Sequence, residues 1–344
     1  MYLASFTTDG VPRIGWRFDA NRLVPLDAAL ASYGSEAWPE LAGITDMAAL
    51  IAGGNAARAA LERLAATVAA AHPSRVRTVD AASVRWLPPV VRPGKVLGVA
   101  MNNKASDARK ISAPNHPMFF LKAATSLLGH GEPLVIRPYY GSLHPEPELG
   151  VIIGCRARDL DPHTAMDAVY GYTIVNDVTG NAMRAEDRVH YYALYASPTN
   201  PDDLERREQH LSYAARYKGT DGFGPCGPWL VTADEVPDPG KLDVVCRVGG
   251  EVIAEDSTAY YTYSVPEVLA FISRFQTLEP GDIVSMGTAF RPSAGSKRSL
   301  HSADMQRLDG PMEVSITGLG ALVTPICRED PELPAWRLPA RSAD

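Results

Sequence analysis

The chain has 344 residues, enough for one large domain or two smaller ones. Hydrophobic residues make up 46% of it, charged residues 21% and aromatic residues 8%, which is the composition of an ordinary globular protein. The formal net charge of −7 argues against nucleic acid or an anionic membrane as the partner.

Two further classes are disfavoured by local patterns. No apolar run is long enough to cross a bilayer, and the opening MYLASFTTDGVPRIGW lacks the charged-then-apolar pattern of a signal peptide. The cysteines are scattered and form no CxxC pair, so we expect neither a disulfide framework nor a zinc knuckle. A reducing cytoplasm is therefore the expected location.

The N-terminal part is predicted to contain helices. The runs DMAALIAGG and NAARAALERLAATVAAAH are helical in pattern, and Asn55 is placed to cap the second. WLPPVVRPGK then concentrates three prolines, which is typical of an extended connector. We expect a smaller N-terminal α/β domain at residues 1–92 and a second domain at residues 93–344.

Beyond the connector the pattern favours strands. Short apolar runs bounded by Gly, Pro or Asp occur in GEPLVIRP, ELGVIIG and VYGYTIVND. LDVVCRVGGEVIAED predicts a hairpin that turns at Gly249 and Gly250, and MEVSITGLGALV predicts another strand.

One helix stands among these strands, in SVPEVLAFISRFQTLEPGD. Ser264 and Glu267 form a capping-box pattern, and Leu269, Ile272 and Phe275 are expected on one face. Many strands with few helices predict a mixed α/β, mainly β fold and not a doubly wound parallel sheet.

The stretch LHPEPELG places two glutamates one residue apart, each after a proline. Proline restricts its own backbone and pushes the preceding residue toward extended geometry. Because side chains alternate along an extended chain, His144, Glu146 and Glu148 should share a face. Two adjacent carboxylates repel unless a cation or a proton lies between them, so this is either a metal site or a solvated acidic turn.

Three polar residues further along favour the metal site. Asp177 follows a predicted strand in YTIVNDVTG, a position where scaffolds present functional side chains. Lys218 lies in the Gly/Pro-rich loop YKGTDGFGPCGPWLV, and Thr288 follows a glycine at the end of LEPGDIVSMGTA.

These pieces in this order resemble the fumarylacetoacetate hydrolase family over roughly residues 93–326. The resemblance implies a β-roll-like catalytic domain after a variable N-terminal domain, usually in a homodimer. It also implies that Glu146, Glu148 and Asp177 hold a divalent metal, that Lys218 is catalytic, and that Thr288 contacts the substrate.

The ligand types agree with that implication. Three carboxylates are hard oxygen ligands, which suit Mg²⁺ first, with Mn²⁺ or Ca²⁺ as alternatives. A 2-oxo or 2,4-dioxo acid can chelate such an ion, which then stabilises the enolate. The ammonium group of Lys218 would add to that stabilisation.

Two segments depart from the family pattern. In MNNKASDAR the family's histidine and glutamate are replaced by Ser106 and Arg109, which cannot act as a general base near neutral pH. We expect both to contact substrate instead. In NDVTGNAMR the family's arginine is replaced by Asn181, and Arg184 either recognises a substrate carboxylate or is a surface arginine.

The segment AEDRVHYYALYASPTNPDDLERREQHLSYAARY is longer than the family pattern leads us to expect and could form a lid. Candidates for a relocated base are four histidines, two in this segment and two near the acidic stretch: His130, His144, His190 and His210. A lone histidine is more often structural than catalytic.

Three hypotheses follow. The first is a metal-dependent hydrolase that cleaves a C–C bond of a 2,4-dioxo acid such as an acylpyruvate. The second keeps the metal-chelated enolate but performs decarboxylation, tautomerisation or hydration of a 2-oxo acid, since the water-activating pair is missing. The third is a metal-binding protein without turnover. The hydrolase comes first because hydrolysis is the usual activity of the family that the chain resembles, although the missing pair favours the second hypothesis on mechanistic grounds.

Overall fold

The polypeptide folds mainly into β-strands. The structure, a computed structural model, describes residues 1–72, 75–288 and 303–330. Within these ranges there are seven α-helices: α1 Leu26–Tyr33, α2 Met47–Ala52, α3 Gly54–Ala70, α4 Lys104–Asp107, α5 Asn181–Glu186, α6 Ala215–Gly219 and α7 Val265–Phe275. The strands of the same ranges are β1 Tyr2–Thr8, β2 Val11–Arg17, β3 Arg22–Pro25, β4 Val79–Asp80, β5 Arg85–Trp86, β6 Val96–Ala100, β7 Met118–Lys122, β8 Leu127–Leu128, β9 Leu134–Ile136, β10 Leu143–His144, β11 Pro147–Ile153, β12 Val169–Asn176, β13 Thr179–Gly180, β14 Arg188–Ala196, β15 Leu204–Ser212, β16 Gly224–Pro225, β17 Leu230–Thr232, β18 Asp243–Val248, β19 Glu251–Ser257, β20 Ile283–Ser285, β21 Met312–Ile316, β22 Gly320–Thr324 and β23 Ile326–Arg328.

An eleven-stranded sheet organises the molecule. Its order is β4-β3-β2-β1-β17-β12-β11-β20-β6-β7, with β5 paired to β1. All of these pairs are antiparallel except β20 with β6. The mixed α/β, mainly β fold expected from the sequence is confirmed.

Strand β11 is covered on both faces. Leu149, Val151 and Ile153 pack in a core with α7 and the four-stranded sheet β19-β18-β21-β22. Ile152, on the opposite face, packs in a second core with the N-terminal helices. A strand that is buried on both faces has apolar residues at consecutive positions, which explains the uninterrupted apolar sequence LGVII in β11.

The sheet crosses the expected domain boundary. Strand β1 pairs with β17, through Tyr2 with Val231 and Leu3 with Leu230. The N-terminal strands therefore extend the sheet that contains β11 and β12. The expected division into two domains at residues 92 and 93 therefore stays a prediction, since one sheet contains strands from both sides of it.

Three local expectations need correction. Asn55 does not cap a helix: it lies in the first turn of α3, which begins one residue earlier after Gly53. Phe275, the last residue of α7, is 62% exposed and contacts Phe271, whereas Leu269 and Ile272 are buried. MEVSITGLGALV forms two strands, β21 and β22, because the glycines at 318 and 320 have positive φ and the chain turns there.

Other expectations are confirmed. Strands β18 and β19 form the predicted hairpin around Gly249 and Gly250, both with positive φ. The amide of Ser264 donates to the Glu267 carboxylate over 2.7 Å, completing the capping box of α7. No helix in the described ranges is long and apolar enough to cross a membrane.

The long polar segment forms an extended hairpin. Strands β14 and β15 pair over nine positions, from Arg188 with Ser212 to Ala196 with Leu204. Among the described strands they pair only with each other. The hairpin follows α5 directly in the chain, and most of its residues are exposed.

Candidate metal centre and active-site cavity

Three carboxylates meet at one end of the β11–β12 ladder. The strands are antiparallel, so the start of β11 lies beside the end of β12, where Pro147 pairs with Asn176. The amide of Asp177 donates to the carbonyl of Glu146 over 2.8 Å. One oxygen atom from each of Glu146, Glu148 and Asp177 lies within 4.8 Å of the other two.

Glu148 is held by the last residue of β20 and by the residues that follow this strand. The hydroxyl of Ser285 and the amide of Gly287 donate to its Oε2 atom over 2.6 and 3.0 Å, and Thr288 Oγ1 lies 3.4 Å from Oε1. Gly287 has φ near 87°, and a Cβ there would lie 2.7 Å from the carbonyl oxygen of Val99. Only glycine therefore brings this amide to the carboxylate.

The carboxylates crowd one another. Burial raises the pKa of Glu148 to about 8, and the negative charges of Asp177 and Glu146 contribute to the shift. Like charges in a buried site favour a proton or a cation between them. A positive charge bound among these three carboxylates is therefore strongly stabilised.

Lys218 supplies part of that charge. Its ammonium lies 2.8 Å from Glu146 Oε2 and 2.5 Å from Asp177 Oδ2. Burial alone would raise the pKa of Glu146, but Lys218 and the hydrogen bond with His144 hold it well below its usual range. Burial likewise opposes the charge on Lys218, yet the surrounding carboxylates keep its pKa above the ordinary value. Lys218 is therefore a buried ammonium group that contacts two of the three carboxylates.

A second buried lysine was missed by the sequence analysis. Lys122, at the end of β7, lies 2.6 Å from Asp177 Oδ1 and also donates to the carbonyls of Lys218 and Phe223. Burial lowers its pKa, and the charge of Asp177 acts in the opposite sense. The available signal was a lysine that ends the apolar run MFFLK.

His144 is fixed between two partners. Its side chain is buried, its Nε2 atom lies 2.8 Å from Glu146 Oε1, and its Nδ1 atom lies 2.6 Å from the Asn181 amide nitrogen. If the amide donates to Nδ1, the ring proton is on Nε2 and points at the carboxylate. Both ring nitrogens are then engaged, so His144 orients Glu146 and is poorly placed to accept a proton from water.

A cavity of about 360 Å³ opens over these groups. It brings together the predicted substrate-binding residues and three residues of the acidic stretch, along with three neighbours; its lining consists of Val99, Met101, Asn103, Ser106, Arg109, His144, Glu146, Glu148, Arg184 and Thr288. Asn103 positions two of them, because its side chain accepts from the Ser106 amide over 2.7 Å and donates to the Thr288 carbonyl over 2.8 Å.

The other candidate histidines lie elsewhere. His130 lines a separate cavity beside Trp86, and its Nδ1 atom accepts from the amide of Val323 over 3.1 Å. His190 and His210 stack at 4.0 Å on the exposed hairpin. Of the four, His144 alone is among the residues that line the cavity.

The donor set fits a hard divalent cation. Three carboxylate oxygens, with no thiolate and no imidazole among the clustered ligand atoms of the described residues, suit Mg²⁺, Mn²⁺ or Ca²⁺. Among the described residues, the Oε1 atom of Glu148 has only the long contact with Thr288, which leaves it available to coordinate an ion. The site is suitable for a divalent metal.

Sequence comparison identifies the family. The profile described as fumarylacetoacetate (FAA) hydrolase C-terminal matches residues 95–327. A Burkholderia cenocepacia protein with a provisional hydrolase name is 32% identical over 235 residues, which cover 66% of this chain and 72% of that protein. An uncharacterized Pyrococcus abyssi protein is 32% identical over 242 residues, covering 70% of this chain and 93% of the relative.

Solved structures share the fold. Maleylpyruvate hydrolase from Sphingobium sp. SYK-6, in complex with manganese(II) and pyruvate, matches with a TM-score of 0.65 at 23% identity, over 96% of this chain and all of that one. Fumarylacetoacetate hydrolase from Exiguobacterium antarcticum matches with a TM-score of 0.66 at 25% identity, again over 96% and 100%. 2-Hydroxyhepta-2,4-diene-1,7-dioate isomerase from Mycobacterium marinum matches with a TM-score of 0.61 at 22% identity, over 96% and 99%.

Fold and site define a mainly β enzyme with a three-carboxylate centre suitable for a divalent metal. The chain belongs to the fumarylacetoacetate hydrolase family.

Proposed function

We propose that the chain is a metal-dependent hydrolase that cleaves a C–C bond of a 2,4-dioxo acid, such as an acylpyruvate or a fumarylacetoacetate-like acid. The observation that carries the proposal is a cluster of three carboxylates, two of which line one cavity together with the guanidinium groups of Arg109 and Arg184. The similarity to structures named as hydrolases supports it.

The three carboxylates and Lys218 each have a role in the proposed hydrolysis. Glu146, Glu148 and Asp177 hold the cation, with Mg²⁺ as our first choice and Mn²⁺ or Ca²⁺ as alternatives; the ion supplies Lewis acidity toward the 2-oxo carboxylate and its enolate. Lys218 fixes the orientation of two carboxylates and adds positive charge where enolate charge develops.

The substrate contacts come from the cavity wall. The hydroxyls of Thr288 and Ser106 can donate to substrate oxygens, and the guanidinium groups of Arg109 and Arg184 can bind a carboxylate in bidentate geometry. Among described residues neither arginine forms an ion pair with a carboxylate, which leaves both available for an anionic substrate.

Hydrolysis requires a proton acceptor. Water adds its oxygen to the acyl carbon and loses a proton, while the departing enolate carbon gains one. Ser106 and Arg109 line the cavity but cannot accept that proton near neutral pH. This feature favours a second candidate function, the decarboxylation, tautomerisation or hydration of a 2-oxo acid, and the fold is shared with a structure named as an isomerase.

We also infer a homodimer. The hairpin β14–β15 exposes Val189, Tyr191 and Tyr195 on one face, with 45%, 40% and 39% of their surface accessible. An isolated two-stranded hairpin is marginally stable in water, and exposed apolar patches mark interaction sites. A second copy of the chain is the occupant that the family resemblance implies.

One experiment separates the functions. Purified protein loaded with Mg²⁺ or Mn²⁺ is incubated with an acylpyruvate and with oxaloacetate, and carboxylic acid fragments and CO₂ are assayed separately. Acid fragments from the acylpyruvate are the expected result. CO₂ without fragments would replace the hydrolase with the decarboxylase. Metal binding without turnover of either compound would favour a tautomerase, a hydratase or the non-catalytic reading.

A further inference from the structure

The short helix α4 carries two of the residues that line the active-site cavity. Ser106 lies within the helix, and Arg109 follows its last turn. The Nε atom of Arg109 donates to the carbonyl of Ala105 over 3.2 Å, so the orientation of its guanidinium also depends on α4. The position of α4 therefore determines where these two side chains lie in the cavity.

Two asparagines hold the beginning of α4. The side-chain amide of Asn102 donates to the carbonyls of Tyr263 and Met286 over 3.0 and 2.9 Å, and its Oδ1 atom accepts from the amide of Tyr263 over 2.8 Å. Asn103 caps the helix and donates to the carbonyl of Thr288 over 2.8 Å. Both residues precede the first turn, so the other end of α4 has to be held by a different contact.

That contact is made by Asp107, the last residue of α4. Its Oδ2 atom accepts from the hydroxyl of Thr262 over 2.6 Å, and its Oδ1 atom lies 2.6 Å from the ammonium group of Lys110. Burial would raise the pKa of Asp107, but the hydrogen bonds with Lys110 and Thr262 hold it below its ordinary value. Asp107 is thus a charged acceptor, which makes the bond from Thr262 stronger than one between neutral groups. Within the described ranges, no other side chain of α4 hydrogen-bonds to the rest of the protein.

We propose that Asp107, through Thr262, is a positioning residue that keeps α4 against the rest of the protein. In this position Ser106 and Arg109 line the cavity and can contact the acid that binds there. The inference rests on the proposed function, which assigns these two residues to substrate binding. Asp107 itself is not among the residues that line the cavity, so it acts through α4 and not by touching the substrate.

Limited digestion with trypsin measures how often α4 leaves the rest of the protein, independently of any reaction. Lys104, Arg109 and Lys110 provide three cleavage sites in and after the helix, and cleavage follows the population of the open conformation when opening is fast. Asp107→Ala and Thr262→Val should each raise the rate of cleavage at these sites about five- to tenfold, the effect of one lost hydrogen bond. The double variant should be cleaved no faster than either single variant, because both changes remove the same bond.

Conservative variants and a control separate this bond from a general loss of stability. Thr262→Ser keeps the hydroxyl and Asp107→Asn keeps an acceptor oxygen, so both should be cleaved at close to the rate of the unsubstituted protein. Asp238→Ala is the control, because Asp238 also contacts a lysine three residues later, Lys241 at 2.7 Å, but lies in the loop before β18. It should change neither the cleavage around α4 nor the KM.

Steady-state kinetics connect the position of α4 to the substrate. They are measured on the metal-loaded protein with whichever of an acylpyruvate and oxaloacetate it turns over. Asp107→Ala and Thr262→Val should raise KM about five- to tenfold and leave kcat within about twofold, because the lost binding is the same in the ground state and the transition state. A residue that only stabilises the fold would lower Tm and leave KM unchanged.

The outcomes distinguish this inference from the proposed function. Faster cleavage together with a higher KM supports the positioning role. Unchanged cleavage in both Asp107→Ala and Thr262→Val overturns it, and so does faster cleavage with an unchanged KM. If neither compound is turned over, the proposed function falls and the positioning role falls with it, whereas the cleavage rates still show whether Asp107 holds α4.

Discussion

Lys122 and Asp177 form an ion pair that is almost completely buried. The Nζ and Oδ1 atoms are 2.6 Å apart, and the side chains are 0% and 2% exposed. Removing one partner of a buried pair costs about 3–5 kcal/mol when the other charge is left uncompensated, and because Lys218 still contacts Asp177 the cost here should lie near the lower end. We expect Lys122→Met to lower the free energy of unfolding by about this amount in urea denaturation without metal.

The matched control is Lys241→Met. Lys241 also contacts an aspartate, Asp238, at 2.7 Å, but its side chain is 80% exposed. It should leave the unfolding free energy unchanged, because water screens exposed pairs. If both variants unfold at the same urea concentration, Lys122 does not stabilise the centre.

The second prediction concerns the carboxylates. Mn²⁺ or Mg²⁺ at a hundred times its Kd should stabilise the protein by about 2.7 kcal/mol, if it binds only the folded state. Glu146→Gln, Glu148→Gln and Asp177→Asn should each reduce or abolish the metal-induced rise in Tm. The control is Glu313→Gln, on strand β21, where the carboxylate lies 3.5 Å from Arg247; this variant should keep the response. An unchanged metal response in all three ligand variants would exclude this site.

The third prediction separates a positioning role of His144 from a catalytic one. If His144 only orients Glu146, His144→Ala should weaken metal binding about 10- to 100-fold, in line with other groups that orient metal ligands. His144→Gln should recover part of the affinity, since its amide can donate to the same carboxylate.

The pH dependence of kcat gives the decisive readout. A general base makes kcat fall at pH values below its own pKa, and this fall should persist in His144→Gln if the histidine only positions Glu146. The control is His163→Gln, in an exposed turn, which should match the unsubstituted protein. If the fall of kcat at low pH is lost in His144→Gln and not in His163→Gln, His144 is the base and the positioning role is wrong.

Much of the site was predictable because its determinants are local. The prolines of HPEPE enforce extended geometry, and a strand-end aspartate identifies the third carboxylate. The partners of these groups were not predictable in the same way. Lys122 and Ser285 reach Asp177 and Glu148 through the order of strands in the sheet, which no local pattern encodes.

The expectation for Lys218 shows the same limit. The sequence pattern places Lys218 in a Gly/Pro-rich loop, whereas the structure places it in α6 and buries it against two carboxylates. We therefore expect Lys218→Ala to reduce stability as well as kcat, a coupling that sequence alone does not reveal.

The fourth prediction tests the hairpin as a dimer contact. Tyr191→Ser with Val189→Ser replaces apolar surface on one exposed face, and the weight-average mass from sedimentation should fall toward the 37.0 kDa of one chain. Leu194→Ser on the opposite face is the control. A mass near that of one chain for the unsubstituted protein would contradict the dimer itself, and a dimer that persists in the double variant would move the interface elsewhere.

The last prediction addresses the missing base. Ser106 and Arg109 line the cavity with Glu146 and Glu148, so groups installed there face the site where substrate is proposed to bind. A histidine oriented by a glutamate can accept a proton near neutral pH, and general base catalysis contributes about 10²–10⁴-fold. If the natural reaction is hydrolysis with a weak base, Ser106→His combined with Arg109→Glu should raise kcat for acylpyruvate cleavage. Arg109→Glu alone should not, because it removes a cation and a glutamate is a much weaker base than histidine near neutral pH. If the double variant gains no cleavage while the unsubstituted protein releases CO₂ from oxaloacetate, the natural chemistry does not require an activated water and the second candidate function replaces the first.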